Sequence, residues 1–268
     1  MKMQTLDQER ITQKPRRIGI TIGIDEGMIN DSIPGFIQTR GNLVDFIKLN
    51  GASVLGFSDR EGREKIEAYR NIIGQPQIEV FCGGTTLEWL IGKKGKAGLK
   101  EFIELNKRLG LKWVEVSNGI LGMNDAEKIK IIQILKEEGF KIFSEIGKKK
   151  VEDSEPLTID WWLERATTEL AAGAKYIVLQ SGKKGRVGIF EENREPKEAL
   201  IEELVEVVKL KNIIFEAPHD DQQAYLIRKY RANVNLGNIR MGYLFNLEES
   251  RNGRRPGTLE FSPREWYI

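Results

Sequence analysis

Eight short apolar runs, each bounded by glycine, asparagine, aspartate or proline, recur along the chain with the length and β-branched content of buried strands. They cover residues 17–25 (RIGITIGID), 43–50 (LVDFIKLN), 78–83 (IEVFCG), 113–118 (WVEVSN), 140–146 (FKIFSEI), 174–180 (AKYIVLQ), 212–217 (NIIFEA) and 233–239 (NVNLGNI). Between most of them the apolar period becomes helical. In NDAEKIKIIQILKEEG, Asn124 is placed to cap a helix with Glu127 three residues on, Ile129, Ile132 and Leu135 form its apolar face, and Gly139 ends it. GLKEFIELNKRLG sets Leu99, Phe102, Ile103 and Leu109 on one face and stops at Gly110. REKIEAYRNII, TIDWWLERATTELAAG, PKEALIEELVEVVKL and DDQQAYLIRKY repeat the pattern.

Strand and helix in strict alternation predict a parallel sheet with helices on its faces. Eight units of roughly 33 residues each match the arithmetic of an α/β fold built as a single (β/α)8 TIM-type barrel. The pattern spans residues 17–258, leaving an N-terminal extension (1–16) and a C-terminal tail (259–268) outside it. A doubly wound open sheet is the alternative; it fits the count less well, and no G-x-G-x-x-G follows the first strand.

Composition narrows the chemistry. The 268 residues are 40% hydrophobic and 31% charged, with a formal net charge of +2 and basic and acidic residues interleaved. Such a surface argues against nucleic acid or membrane as the main partner; the expected partner, from the site residues and the resemblance given below, is a small anionic substrate, with a homo-oligomer left open. No apolar run reaches 18 residues and the first residues lack a signal-peptide core, so the expected setting is cytoplasmic. One cysteine, Cys82, excludes an internal disulfide, and one histidine, His219, excludes multi-histidine metal sites and weakens any histidine-activated nucleophile. Cys82 reads as a small buried side chain and His219 as a loop residue. Chemistry must then run on carboxylates, lysines, arginines and amides.

Barrel enzymes work at the C-terminal ends of their strands. Nearly every predicted strand ends there in polar residues: Asp25 and Glu26; Lys48 and Asn50; Gly83, Gly84 and Thr85 with Glu88 one helical turn on; Glu115, Ser117 and Asn118; Glu145, Lys148 and Lys149; Gln180 and Ser181; Glu216; Asn235 and Asn238. Each alone is explained as a turn former or a solvated charge. Their recurrence around the ring points to a site. Glu115 and Glu145 lie inside apolar strands, where a carboxylate requires a cation nearby. Carboxylates without histidine suit an oxygen-ligated Mg²⁺, and carboxylate–lysine pairs satisfy the same electrostatics. The backbone of GGTT (83–86) can receive an anion at a helix start. SGKKGRVG (181–188), with Lys183, Lys184 and Arg186, reads equally well as a loop around an anionic substrate and as a flexible connection.

The segments GGT (83–85) with Glu88, FIKL (46–49), SEIGKK (144–149), FEAP (215–218), Gln222-Gln223 and NVNLGNI (233–239) together resemble the phosphosulfolactate synthase family, in order from about residue 18 to 258. The resemblance implies an α/β barrel and a carbon–sulfur lyase that adds sulfite to phosphoenolpyruvate with Mg²⁺, a step toward coenzyme M or sulfolactate. It implies Lys149 as proton donor, supported by Glu145 and with its pKa lowered by cations such as Lys148. It also implies substrate contacts from Lys48, Gly84, Thr85, Lys148, Gln223, Asn235, Asn238 and Arg255, and metal ligands in Asp25, Glu115 and Glu216. In SEIGKKK, Lys150 is then the solvated remainder. The family's Asp-Lys-Gly, Gly-Trp-Gly-Thr-Ser, Ser-Asp-Gly and Glu-x-Arg-Glu-Ser-Gly motifs stand here as Asp25-Glu26-Gly27, Asn50-Gly51-Ala52-Ser53-Val54, Ser117-Asn118-Gly119 and Gln180-Ser181-Gly182-Lys183-Lys184-Gly185, and an aspartate of its C-terminal motif is Gly257. A diverged enzyme acting on another small phosphorylated or sulfonated acid, and a noncatalytic relative, are therefore the alternatives.

Overall fold

The computed structural model describes residues 5–70, 78–149, 157–182 and 184–259, the side chains of 51–53 excepted. Its strands are β1 (Thr21–Asp25), β2 (Phe46–Leu49), β3 (Glu79–Cys82), β4 (Trp113–Val116), β5 (Lys141–Ile146), β6 (Tyr176–Leu179), β7 (Ile213–Glu216) and β8 (Leu236–Arg240). Each lies parallel to the next and β8 pairs with β1, so the sheet closes on itself. Closure excludes the open doubly wound sheet and meets the (β/α)8 expectation. The described helices are α1 (Leu6–Glu9), α2 (Ile33–Arg40), α3 (Gly51–Gly56), α4 (Asp59–Arg70), α5 (Gly84–Lys94), α6 (Lys96–Arg108), α7 (Asp125–Glu137), α8 (Ile159–Ala172), α9 (Glu198–Val208), α10 (Asp220–Tyr230) and α11 (Leu244–Arg251).

All eight predicted strands form, with trimmed ends. The first starts at Thr21 instead of residue 17 because Gly19 sits at φ +71° and breaks the extended run. Helix α7 carries the predicted capping box, Asn124 accepting from the Glu127 N–H, and ends before Gly139 at φ +90°. Its buried face is rotated from the expected one: Lys128, Ile131, Ile132 and Leu135 are buried and Ile129 is half-buried. Lys128 is tolerated there because Glu169 on α8 lies 2.8 Å away and the Glu145 carbonyl accepts a second bond at 2.7 Å.

Apolar side chains form two shells. One fills the space between sheet and helices, with Ile37, Leu87, Phe102, Ile132, Trp162, Leu204 and Leu226 among its members. The other lines the barrel: Ile20, Ile22, Phe46, Phe81, Trp113, Phe143, Tyr176, Val178 and Ile214. Its rings pack tightly, Phe143 lying 4.7 Å from both Phe81 and Trp113 between ring centroids. Because strand side chains alternate, the inward neighbour two residues beyond each of several plug residues is charged: Phe46 then Lys48, Trp113 then Glu115, Phe143 then Glu145, Ile214 then Glu216. An apolar plug thus fills the barrel, with a charged layer above it toward the strand C-termini.

The opposite end is sealed by the residues preceding β1. Leu6 is buried, Arg10 pairs with Glu248 at 2.9 Å, Arg16 with Asp45 at 2.9 Å, and Arg231 with Glu9 at 2.8 Å. Fully buried Arg251 donates to the carbonyls of Ala232 and Val234. Residues that fall outside the strand–helix alternation therefore close the barrel floor. No described helix is long and apolar enough to cross a membrane.

Candidate active site

Lys48, on β2, is the centre of the charged layer. Its Nζ lies 2.8 Å from Glu115 Oε1 on β4, 3.5 Å from Glu145 Oε2 on β5 and 3.6 Å from Glu216 Oε1 on β7. The three carboxylates are almost wholly buried, while 15% of the lysine side chain reaches solvent. Burial opposes the ammonium, yet Glu115, Glu145 and Glu216 hold its pKa well above the ordinary lysine value. Burial also raises Glu115 against the pull of Lys48. In Glu216, burial and then the repulsion of Glu145 outweigh Lys48 and push the carboxyl up to about 7.

A second lysine joins at the rim. Lys149 Nζ donates to Thr85 Oγ1 at 3.0 Å and lies 3.5 Å from Glu88 and 3.7 Å from Glu145. In the protein alone its pKa is not lowered: burial pulls downward, but Glu145 and then Glu88 raise the ammonium above its usual value. Lys148 Nζ donates to the Asn118 carbonyl at 2.9 Å and pins the loop after β4. Lys150 lies outside the described residues, as does Lys183.

Several expected substrate contacts take other places. The Gly84 N–H donates to Glu115 Oε1 at 2.8 Å, so it fixes a carboxylate instead of greeting an anion. A Cβ there would stand 2.3 Å from Ser117 Oγ, which is why the start of α5 needs glycine. Asn235 precedes β8 and lies at the barrel floor, accepting from the Ile20 N–H at 3.0 Å and donating to the Ile213 carbonyl at 2.9 Å. Asn238 adopts φ +59° beside a register shift between β1 and β8. Gln223 donates to the Ala217 carbonyl at 2.9 Å, leaving its buried Oε1 without a protein partner. Arg255 is half exposed and pairs with Asp220, at the start of α10, at 2.9 Å.

Asp25 stands apart from the other carboxylates expected to bind metal. Lys65 on α4 lies 2.8 Å away, the Tyr69 hydroxyl donates at 2.9 Å, and the N–H groups of Gly27 and Met28 donate at 2.7 and 2.6 Å. These donors satisfy the carboxylate. Among the described residues, no three His, Cys, Asp or Glu side chains are disposed to hold a metal ion unaided.

The loop after β6 is packed in its described part. Arg186 N–H and Ile189 N–H return to the carbonyls of Ser181 and Gln180 at 3.1 Å each, and Val187 and Ile189 are buried. Ser181 N–H donates to Glu216 Oε2 at 3.0 Å, and the Gln180 amide, oriented with nitrogen toward Glu145, donates at 2.7 and 3.2 Å. Cys82 is fully buried and its thiol is pushed up to about 12 by that burial, so it is no nucleophile. His219 Nε2 faces the Lys184 carbonyl at 3.0 Å, in a loop.

Glu88, Glu115, Glu145 and Glu216 face two ammonium groups, Lys48 and Lys149, a surplus of two negative charges if all ionise. Glu216→Gln should therefore stabilise the fold at pH 8. The wild-type Glu216 has a folded pKa near 7 against an ordinary 4.5, so the folded state holds the extra proton and stability falls as pH rises from about 4.5 to 7. Urea denaturation of the variant from pH 5 to 8 should show that slope reduced. An unchanged slope would place the proton elsewhere.

Comparison with known proteins identifies the family. Sequences of the (2R)-phospho-3-sulfolactate synthase (ComA) family match residues 9–256. The phosphosulfolactate synthase of Methanothermobacter thermautotrophicus is 33% identical over 92% of this chain and 93% of its own. That of Methanocaldococcus jannaschii is 32% identical over 90% and 93%, and that of Bacillus subtilis 30% over 92% and 94%. Among solved structures, 3-hexulose-6-phosphate synthase from Salmonella typhimurium aligns with a TM-score of 0.56 at 14% identity, over 88% of this chain and 100% of its own, and the YdjI aldolase from Escherichia coli K12 with 0.57 at 12%, over 91% and 90%. At such identities these two share the barrel alone. With a match over nearly its whole length and three relatives at 30% identity or more, the chain belongs to the phosphosulfolactate synthase family.

Proposed function

We propose that this protein is a lyase that adds sulfite to phosphoenolpyruvate, giving phosphosulfolactate. The observation that carries the reading is the pair of ammonium groups, Lys48 and Lys149, held by carboxylates at the mouth of the barrel. The sulfur lone pair attacks the methylene carbon and forms the C–S bond, while the alkene π pair moves toward the carboxylate as an enediolate. Lys149 then delivers a proton to the adjacent carbon, and the phosphate ester stays intact. A carbanion-like carbon is basic enough to take a proton from an ordinary ammonium, so the acid needs position more than a lowered pKa. Lys48 supplies fixed positive charge where negative charge develops. A cytoplasmic setting suits a phosphoenolpyruvate-consuming enzyme.

Oxygen donors with surplus negative charge suit Mg²⁺, an ion usually held by one or two carboxylates with the substrate and water completing its shell. Glu145 and Glu216 would hold it, since their contacts with Lys48 are the longer ones; Asp25 is filled by its own donors. Bound there, the ion would supply electrostatic stabilisation of the enediolate.

The direct test is ³¹P NMR of phosphoenolpyruvate and sulfite with enzyme and Mg²⁺. Stoichiometric conversion to a phosphorylated sulfonate is expected, and the absence of turnover at high enzyme concentration would sink the reading. Calorimetric titration with Mg²⁺ at pH 7, in buffers of different ionisation heat, should show proton release as Glu216 gives up its proton.

A further inference from the structure

We propose that Glu88 is a positioning residue for Lys149: it organises the loop after β4 into the surface on which the lysine side chain rests and draws the ammonium to its working place. The inference rests on the proposed role of Lys149 as proton donor and adds a residue to that site.

Glu88 lies one turn into α5, on the face of Gly84, and its side chain is only 3% exposed. Its two oxygens gather four donors from the segment after β4: Ser117 Oγ at 2.5 Å, and the N–H groups of Gly119 at 3.3 Å, Ile120 at 2.7 Å and Leu121 at 2.8 Å. Three successive backbone N–H groups turned onto one carboxylate make a concave anion nest, filled here by the chain itself. The same Oε1 lies 3.5 Å from Lys149 Nζ.

The loop shaped this way meets Lys149 at two further points. The Lys149 N–H donates to the Gly119 carbonyl at 3.2 Å. A Cβ on Gly119 would stand 2.7, 2.8 and 3.0 Å from Lys149 Cγ, Cε and Cδ, so the lysine stem lies across that glycine with no room for a methyl. Thr85, three residues before Glu88 on α5, accepts from Nζ at 3.0 Å. One helix turn thus fixes both the ammonium, directly, and the aliphatic stem, through the loop. A solvated surface lysine would spread over many rotamers, and the entropy of gathering it is met in the folded protein before substrate arrives.

The test is a double-mutant cycle on the sulfite addition, with Glu88→Gln, Lys149→Met and the double variant. Glu88→Gln should lower kcat by about 10- to 100-fold, part of the range for a positioned acid, with KM for phosphoenolpyruvate changed less than about threefold. In the Lys149→Met background the same change should alter kcat less than about twofold, because Glu88 acts through the lysine. Losses that multiply would overturn the proposal. Gly119→Ala should reproduce the fall in kcat by displacing the stem, which covers the case that Glu88→Gln does not fold, and wild-type turnover in a folded Gly119→Ala would count against the idea. Acylation of Lys149 by an amine-reactive ester, followed by peptide mass spectrometry, decides the matter without turnover: release of the ammonium should speed labelling several-fold in Glu88→Gln, and an unchanged rate overturns the inference. A wild-type protein that leaves phosphoenolpyruvate and sulfite unconverted would sink the proposed reaction, and the labelling rate would still judge Glu88.

Discussion

Lys48→Met is expected to cost about 3–5 kcal/mol of stability at pH 8, the usual penalty for removing one partner of a buried charge cluster. In a chain of this size that corresponds to a fall in Tm of roughly 5–9 °C. The cause is what remains: Glu115, Glu145 and Glu216, each about 2% exposed, would face one another with only the rim ammonium of Lys149, 3.7 Å from Glu145, to offset them. Backbone donors from Gly84 and Ser181 relieve Glu115 and Glu216 only in part. Protonation is the other relief. Without Lys48 the raised pKa values of Glu115 and Glu216 rise further, so the folded variant holds more protons than its unfolded chain, and its stability falls as pH rises through that window. The penalty should shrink at pH 5 and be largest at pH 8. Urea melts at both pH values check this, and a loss under about 1 kcal/mol at pH 8 would mean that the cluster is neutralised by other means.

The barrel was legible because each strand is a compact apolar run between turn residues, and because eight such runs alternate with helical periods. The charged layer was legible in part. Strand-end position found Lys48, Glu115, Glu145, Glu216 and Lys149, and the alternation rule explains why: F-x-K, W-x-E, F-x-E and I-x-E each aim an apolar plug residue and a charge into the same lumen. Strand-end position fails for Asn235: the apolar run 233–239 puts it toward the working end of the eighth strand, but β8 begins after it, so its side chain ties the strand starts together at the floor. Glu88 carried a signal in its spacing, since a residue four beyond Gly84 shares its helix face, but its four loop donors come from a segment distant in sequence. Lys65 and Lys128 were invisible for a related reason. A lysine in a helix reads as solvated until the fold sets Asp25 or Glu169 against it.

The raised pKa of Lys149 changes what its removal should show. Lys149→Met is expected to lower kcat for sulfite addition by about 10²- to 10⁴-fold, the contribution of a well-placed general acid. The fold should survive, because Glu88 keeps its four donors from Ser117, Gly119, Ile120 and Leu121 when the ammonium is gone, and Lys48 still stands within 3.5 Å of Glu145. A turnover defect with a nearly unchanged Tm therefore separates Lys149 from Lys48, whose loss should act first on stability. The pH dependence supplies a second readout. An acid works in its protonated form, which predominates below its pKa; Glu145 and Glu88 hold Lys149 above its ordinary 10.5, so the active ammonium persists across the neutral and mildly basic range. The kcat profile of the wild type should accordingly show no basic limb attributable to this lysine below about pH 10. A basic limb near pH 8 that disappears in Lys149→Met would mean that substrate binding strips the lysine of its carboxylate partners, whereas a variant with kcat within about threefold of wild type would assign proton delivery to another group.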